Sequence, residues 1–262
     1  YPTDSTKHQF YVDNSPETGD ICPTAPTTAC TAAQWKTILV GGLNRGGKGY
    51  YALDITNPSS PALLWEFTDQ NLGYTYGNPT ITKLKDGTWV VLVSAGYNNV
   101  DGTSTADVGK GRLYILNAAT GEVIRSISTG IGSATTPSGL SRISAHVLQS
   151  STDNTAIAAY GGDNLGNVWR FDINNDIGAT GYDAQLLVSL TDSADKAQPV
   201  TVKPVQATVS GKPVIFVGAG RYLGTTDVAD NSTQSFYAIK DNLDTVTPVS
   251  YTHLTLPTIY SV

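Results

Sequence analysis

Short apolar runs separated by polar turns recur along the chain. Runs of four to six apolar residues bounded by Gly, Asn and Pro predict β-strands, because they are too short for helices. In the first group Thr37–Val40 ends on two glycines, Tyr50–Ile55 follows a glycine-rich turn, and Leu63–Phe67 follows an Asn-Pro break. The same three-strand pattern returns three more times, with the last copy incomplete, and this repetition predicts the fold.

Each copy is centred on an aromatic-x-aliphatic-polar core, which begins at Tyr51, Tyr114, Trp169 and Tyr237. An apolar strand that ends in small residues precedes each core: Ile38–Gly42, Val90–Gly96, Ala156–Gly162 and Val214–Gly220. One more candidate strand precedes that one: Gln9–Val12, Pro79–Leu84, Arg142–Leu148 and Pro204–Val209. In the first three copies a strand also follows the core: Leu63–Phe67, Glu122–Ser128 and Ala184–Leu190.

Four strands per unit in up-and-down order predict an all-β fold, a β-propeller of four-stranded antiparallel blades. The blades are expected at residues 8–68, 78–128, 141–190 and 203–249. A β-sandwich is the alternative, but it would not place Gly after the second strand and an aromatic residue in the third strand of every unit.

Four units are few for a closed propeller, and the chain contains no methionine. We therefore expect an incomplete arc from a larger propeller, in an internal or processed piece of a longer protein. Residues 250–262 carry no blade pattern and resemble the read-through tails that adapter sequence adds to truncated reading frames. They are expected to be a non-native tail without function.

The charge balance excludes some partners. Lys and Arg number 16 against 22 Asp and Glu, for a net charge of −6. This argues against nucleic-acid binding, which requires a concentrated basic surface. No apolar stretch reaches the ~18 residues that a membrane-spanning helix requires.

Cys22 and Cys30 are the only cysteines and lie in a loop rich in Pro and Thr. They predict a small-loop disulfide formed in an oxidising compartment. A metal pair is the alternative, although no other cysteine and only three histidines could complete its coordination.

The longest predicted linkers join second to third strands, and in an up-and-down blade they share a face with the blade-to-blade connections. Insertions on one face of a repeat protein mark a binding face. These loops are rich in Asn, Asp, Tyr and Gly, which suits contact with glycans, proteins or ions. The residues expected on the binding face are Tyr97, Asn98, Asn99, Asp101 and Asp107.

One loop spaces its oxygen atoms as a calcium loop does: Asp172, Asn174, Asp176 and Asp183. However, Ile177 stands where such a loop needs glycine, so a solvated turn is the alternative. The same two interpretations apply to the acidic-amide loop that contains Asn98, Asn99, Asp101 and Asp107.

Nothing in the sequence predicts a catalytic centre. Nucleophilic catalysis needs a nucleophile, a base and a group that orients the base, and the three histidines have no such setting. Gly42–Gly49 nearly matches a phosphate-binding loop, but Gly49 replaces the required Ser or Thr and a strand follows. The recurrent aromatic residues are expected to pack between blades.

Three segments resemble the C-terminal propeller of the type IV pilus tip-associated adhesin and biogenesis factors, the PilC/PilY group. They are WKTILVGGLNRGGKGYYALDITNP (Trp35–Pro58), GDNLGNVWRFD (Gly162–Asp172) and FVGAGRYLGTTDVADNSTQSFYAIKD (Phe216–Asp241). HQFYVDNSP (His8–Pro16) resembles the strand before the first segment. The resemblance implies the C-terminal part of a large secreted protein that supports pilus extension and takes part in adhesion at the pilus tip.

The same resemblance implies an extracytoplasmic location, at the cell surface, pilus tip or outer membrane of a Gram-negative bacterium. The implied partners are pilus subunits, minor pilins and a ligand on a host or abiotic surface. It also implies one Ca²⁺ in an Asp/Asn-rich loop, which matches residues 149–157 here. Asp153 is kept, Ser151 is a weaker ligand, and Ile157 cannot be one.

We therefore expect a non-catalytic module of pilus biogenesis and adhesion that binds through the loops on one face. Calcium would modulate it if one of these loops binds the ion. A quinoprotein-type dehydrogenase is one alternative, because Gly-x-Tyr-Ala-Leu-Asp segments also occur in such propellers. It would need a cofactor cage and a catalytic carboxylate at the central axis. An assembly scaffold of the outer membrane is the other alternative.

Overall fold

The structure is a computed structural model that describes residues 9–102 and 106–244, together with the backbone of 251–254. The first blade contains β1 (Glu17–Ile21), β2 (Lys36–Gly42), β3 (Tyr50–Asp54) and β4 (Ala62–Phe67). The second contains β5 (Thr80–Lys83), β6 (Trp89–Ser94), β7 (Arg112–Asn117) and β8 (Val123–Ser128). The third contains β9 (Ile143–Gln149), β10 (Asp153–Gly162), β11 (Asn167–Phe171) and β12 (Ala184–Ser189). The fourth contains β13 (Val205–Val209), β14 (Lys212–Gly218), β15 (Phe236–Lys240) and β16 (Tyr251–Leu254). Short 3₁₀ helices lie in loops at Ala32–Gln34 and Thr225–Ala229.

Within each blade, every strand pairs antiparallel with the next strand along the chain. The first strands of successive blades also contact one another, β1 with β5, β5 with β9, and β9 with β13. A parallel bridge between Lys83 and Thr155 links blades 2 and 3. Inner strands placed side by side around an axis define a propeller and not two stacked sheets, so the predicted fold class is confirmed.

Hydrophobic residues form a separate core between each pair of neighbouring blades. Successive strand residues point to opposite faces, and β6 shows the result. Val91 and Val93 face blade 1, whereas Val90 and Leu92 face blade 3. Because both faces of this sheet are buried, its central strands read as unbroken apolar runs. Burying one such side chain stabilises the fold by about 1.5–3 kcal/mol.

In blades 2, 3 and 4 the recurrent aromatic residue packs against the preceding blade and its polar tip is hydrogen-bonded, whereas Tyr51 of blade 1 is half-buried. The Tyr114 hydroxyl donates to Asp69 Oδ1 at 2.8 Å, and Trp169 Nε1 donates to Asp163 Oδ2 at 3.0 Å. In the fourth blade, Tyr237 is fully buried. A buried Tyr or Trp needs such a partner, so one repeated position supplies both apolar area and a directed polar contact.

The polar residue that ends the repeated core closes the turn after the third strand. Side-chain oxygens of Asp54, Asn117 and Asp172 each accept a hydrogen bond from the backbone N–H two residues further on, at 2.9–3.1 Å. In the fourth blade Asp241 makes this contact with the N–H of Leu243, one position after the aligned Lys240. Asp and Asn are favoured here because their short side chains form this turn directly.

The first and last strands differ from the predicted positions. Residues Gln9–Val12 form no strand, and Tyr11 and Val12 are largely exposed. The inner strand is Glu17–Ile21, which has one fully buried residue and forms by pairing with β2. At the other end, Tyr251–Leu254 pairs with β15, so these four residues of the expected tail form the outer strand of blade 4. The other tail residues, 250 and 255–262, lie outside the described residues.

The loop between β1 and β2 contains the disulfide that joins Cys22 to Cys30. Cys22 is buried, and nearby the ring of Trp35 meets that of Trp89 edge to face, with centroids 5.6 Å apart. The loop is therefore attached to blade 2 as well as to its own blade.

A row of polar residues, buried except for the half-buried Gln185, crosses blade 3 and faces blade 4. Ser144, Tyr160, Arg170 and Gln185 are paired in register on its four strands. Asp241 of blade 4 accepts hydrogen bonds from Arg170 Nη1 and from the Tyr160 hydroxyl, both at 2.7 Å. Arg170 and Asp241 are each 1% exposed. This charged pair is fully desolvated, so either partner alone would be strongly unfavourable.

Replacing Asp241 with Asn should therefore destabilise the protein by about 3–5 kcal/mol, because Arg170 would stay buried without a counter-charge. Urea unfolding of the purified chain measures the change. The matched control is Asp54→Asn, which also keeps the turn-closing oxygen but loses only the partly exposed pair with Lys36. That control should cost less than about 1 kcal/mol. Equal losses in the two variants would show that the buried pair has no special role.

Candidate functional site

The loops between second and third strands lie at the same end of the blades as the blade-to-blade connections. We call this end the loop face, and its described segments are 43–49, 68–79, 95–102, 106–111, 129–142, 163–166, 190–204 and 219–235. Neighbouring segments are joined through their backbones. Tyr74 and Tyr97 exchange two N–H···O bonds of 2.7 and 3.0 Å, and Asn164 N–H donates to Ser138 O at 2.7 Å. The loop face is therefore a connected rim and not a set of independent loops.

The five residues predicted for binding have different roles. Asn99 is buried and its Nδ2 donates to Asn71 O and to Lys110 O, so it holds the loop in shape. Asp107 accepts from Arg112 Nη2 at 2.9 Å. Asp101 is exposed and pairs with Lys48, and Asn98 is exposed with a left-handed backbone, φ 57°. Tyr97 is half-buried and lines a cleft.

This cleft has a volume of about 600 Å³ and is formed by segments from blades 1, 2 and 4. We call it the tyrosine cleft and define it by Arg45, Tyr74, Tyr76, Tyr97, Tyr222 and Leu223. Tyr97 alone was expected at the site. The others are far apart in sequence, although a count of aromatic residues in the predicted loop-face segments would have drawn attention to the tyrosines.

Burial raises the pKa of Tyr97, against the opposing effect of Arg142 and Arg221. Burial also raises the pKa of Tyr76, against the opposing effect of Arg45. Both phenols are therefore protonated at neutral pH, and they present O–H donors in a setting with several guanidinium groups.

A second concavity, of about 470 Å³, lies along the inner strands β5, β9 and β13. His146 lines it and is 3% exposed, and its Nε2 has no hydrogen-bond partner among the described residues. Burial lowers the pKa of His146, although Asp241 opposes the shift, so the imidazole is neutral at pH 7. The described residues that line this concavity include no Asp or Glu.

The loop that contains Asp172 is closed by its own backbone. The Asp172 carboxylate accepts N–H bonds of 2.9–3.3 Å from Asn174, Asp176, Ile177 and Gly178. Burial alone would raise the pKa of Asp172, but these donors reverse the effect and hold it below the usual value. The oxygens of Asp172 are thus held by the backbone donors of the loop itself, and calcium binding by this loop stays a prediction.

In each of the three loops for which calcium was considered, one carboxylate is paired with a lysine, and in the third loop this is Asp101 with Lys48. Lys83 Nζ lies 2.7 Å from Asp153 Oδ1, and Lys85 Nζ pairs with Asp176. The Lys83 ammonium lowers the pKa of Asp153. Ser151 is exposed on the adjacent turn. Within 9–102 and 106–244, no group of three or more His, Cys, Asp or Glu side chains could hold a metal ion. In each loop a lysine therefore already forms an ion pair with a carboxylate that calcium would need.

Calcium should consequently leave the thermal stability of the chain unchanged. A ligand present at 100 times its Kd would add about 2.7 kcal/mol and raise Tm by several degrees. Differential scanning calorimetry in millimolar calcium and in excess EGTA makes the comparison. A higher Tm in calcium would contradict the prediction, and the single variants Lys83→Ser and Lys85→Ser would then identify the loop that binds the ion.

Within the described part of the chain, no helix is both long enough and apolar enough to cross a membrane.

Comparison with known proteins gives consistent matches. The family model described as the PilY1 beta-propeller domain matches residues 3–257. The type IV pilus biogenesis factor PilY1 of Pseudomonas aeruginosa is 36% identical over 261 residues, which cover 89% of this chain and 21% of that protein. A PilY1 homolog of Xylella fastidiosa is 34% identical over 251 residues, covering 94% of this chain and 18% of the homolog.

A solved structure is also similar. The crystal structure of the Pseudomonas aeruginosa PilY1 C-terminal domain superposes with a TM-score of 0.67 at 31% identity. The match covers 88% of this chain and 49% of the solved one. The chain thus spans about a fifth of the length of the curated relatives that it matches.

Proposed function

This chain belongs to the PilY1 β-propeller family, and from that premise we propose that it is a non-catalytic module of type IV pilus biogenesis. The proposal includes adhesion at the pilus tip, with pilus subunits or minor pilins as partners and a surface ligand on the host or an abiotic material. The support is the naming of the relatives as pilus biogenesis factors, at 34–36% identity over most of this chain.

An extracytoplasmic location at the cell surface is part of the proposal. The disulfide between Cys22 and Cys30 supports it, because such bonds persist in oxidising compartments.

The main support for binding is the ordered structure of the loop face. Its segments come from all four blades and are joined by backbone hydrogen bonds, such as that from Gly220 N–H to Pro199 O at 2.7 Å. A surface that is already ordered loses less conformational entropy on binding than separate flexible loops would. The blades keep this surface in a fixed shape, and its loops would make the contacts with a partner.

The proposal predicts that blocking the loop face impairs attachment and that blocking the opposite face does not. We suggest placing this chain in a full-length PilY1 homolog, in a cell that lacks its own factor. Exposed Asn231 on the loop face and exposed Ser60 in the β3–β4 turn are each replaced by Cys. An impermeant polyethylene glycol maleimide then labels the cell surface, and the chimera without either new Cys measures the background, since Cys22 and Cys30 of this chain are already paired.

Surface pili and attachment are measured in each strain. The unlabelled chimera should restore pili, and labelled Asn231→Cys should attach several-fold less than labelled Ser60→Cys. A chimera that restores no pili would count against the biogenesis role. Equal attachment after labelling at either site would count against binding through the loop face.

A further inference from the structure

The floor of the tyrosine cleft is rigid because two backbone segments approach each other closely. Gly73 and Gly96 stand beside the bonded pair Tyr74 and Tyr97. A Cβ added at Gly73 would lie 2.1 Å from Tyr97 O, and one added at Gly96 would lie 2.1 Å from Tyr74 O. Gly96 also has φ +75°, which favours glycine. The two tyrosines are therefore held in place before any ligand arrives.

The cleft combines rigid rings with an exposed apolar rim. The rings of Tyr76 and Tyr97 are tilted, with centroids 5.5 Å apart. On the other side Tyr222 is 76% exposed and Leu223 is 47% exposed. Tyrosine and arginine are the residues that most often dominate the energy of protein–protein contacts, since tyrosine offers a large area with few rotatable bonds.

Arginines are concentrated around the cleft, where the nearby carboxylates are Asp13 beside Tyr76 and Asp227 beside Arg221. Arg45 lines it, and Arg142 and Arg221 are close enough to Tyr97 to influence its ionisation. Arg221 pairs with Asp227, whereas no ion pair is formed by Arg45 or Arg142 with residues of 9–102 and 106–244. The chain as a whole has a net charge of −6. A local cluster of guanidinium groups on an acidic protein favours an anionic ligand.

We infer that the tyrosine cleft is the docking site for an acidic peptide segment of a partner protein, one that carries an aromatic or aliphatic side chain among its carboxylates. The inference rests on the proposed function, because it names the kind of partner that the loop face binds. The carboxylates would pair with Arg45 and Arg142, and the apolar side chain would pack between Tyr222 and the Tyr76–Tyr97 pair. The cleft is small enough for a few side chains, and the net charge of −6 on the whole chain disfavours a nucleic acid.

Binding of polymers of defined charge to the purified chain tests the inference. The probe is a labelled random copolymer of glutamate and tyrosine, followed by fluorescence polarisation. A lysine–tyrosine copolymer reverses the charge, and alginate offers carboxylates without a peptide. The glutamate–tyrosine copolymer should bind best, and its affinity should fall as salt is raised.

Two variants locate the site. Tyr222→Ser and Arg45→Gln should each weaken binding of the glutamate–tyrosine copolymer by about 10-fold. Both residues are exposed, so the Tm of each variant should stay within about 2 °C of the parent. The matched control is Arg125→Gln, an exposed arginine of β8 away from the loop face, which should bind like the parent.

Absence of copolymer binding would overturn the inference, as would equal binding of alginate or of the lysine–tyrosine copolymer. Equal weakening by Arg125→Gln would also overturn it, since only general charge would then be involved. Failure of the pilus chimera would refute the proposed function without changing these binding results. Failure of the copolymer to bind would leave the pilus result intact.

Discussion

Burial of each sheet face against the next sheet is the constraint on which this structure depends. A single four-stranded blade would expose both of its apolar faces, so it can be stable only between neighbours. Blade 2 meets this condition by directing Val91 and Val93 to one side and Val90 and Leu92 to the other. Stacking then brings the inner strands around a common axis and places all loops of one type at the same end. The loop face is a consequence of this packing.

Apolar packing alone does not determine how far one blade is displaced along another. Polar contacts between blades fix this displacement, because each hydrogen-bond donor needs its acceptor at one position. The Tyr114 hydroxyl meets Asp69 and Arg170 meets Asp241, each across or beside an interface between blades. These groups are buried, so a displaced blade would leave them without partners at a cost of about 1–3 kcal/mol for each neutral group. We interpret them as the contacts that set the register of the blades.

The sequence predicted most strands within one or two residues, since buried strands carry the apolar runs that define them. Glu17–Ile21 was missed because four of its five residues are not fully buried and its pairing with β2 determines its conformation. The site was predicted only in part. Tyr97 lies in a loop of the expected face, but Arg45 and Tyr222 reach the same cleft from other blades. Likewise, the oxygen spacing at Asp172 resembles a calcium loop, whereas the backbone donors and Lys85 that occupy its carboxylates become visible only in three dimensions.

The two ends of the blades differ in how their polar groups are satisfied, and this difference bears on function. At the end opposite the loop face, turns are closed by their own Asp or Asn, and Lys83 and Lys85 neutralise the acidic loops of blade 3. Little binding energy is left there for a partner, because a new contact would replace one that already exists. On the loop face, Tyr222 is exposed and Arg45 has no carboxylate partner among the described residues. The proposed partner would therefore add contacts at the loop face, whereas at the opposite end it would have to displace contacts that already exist.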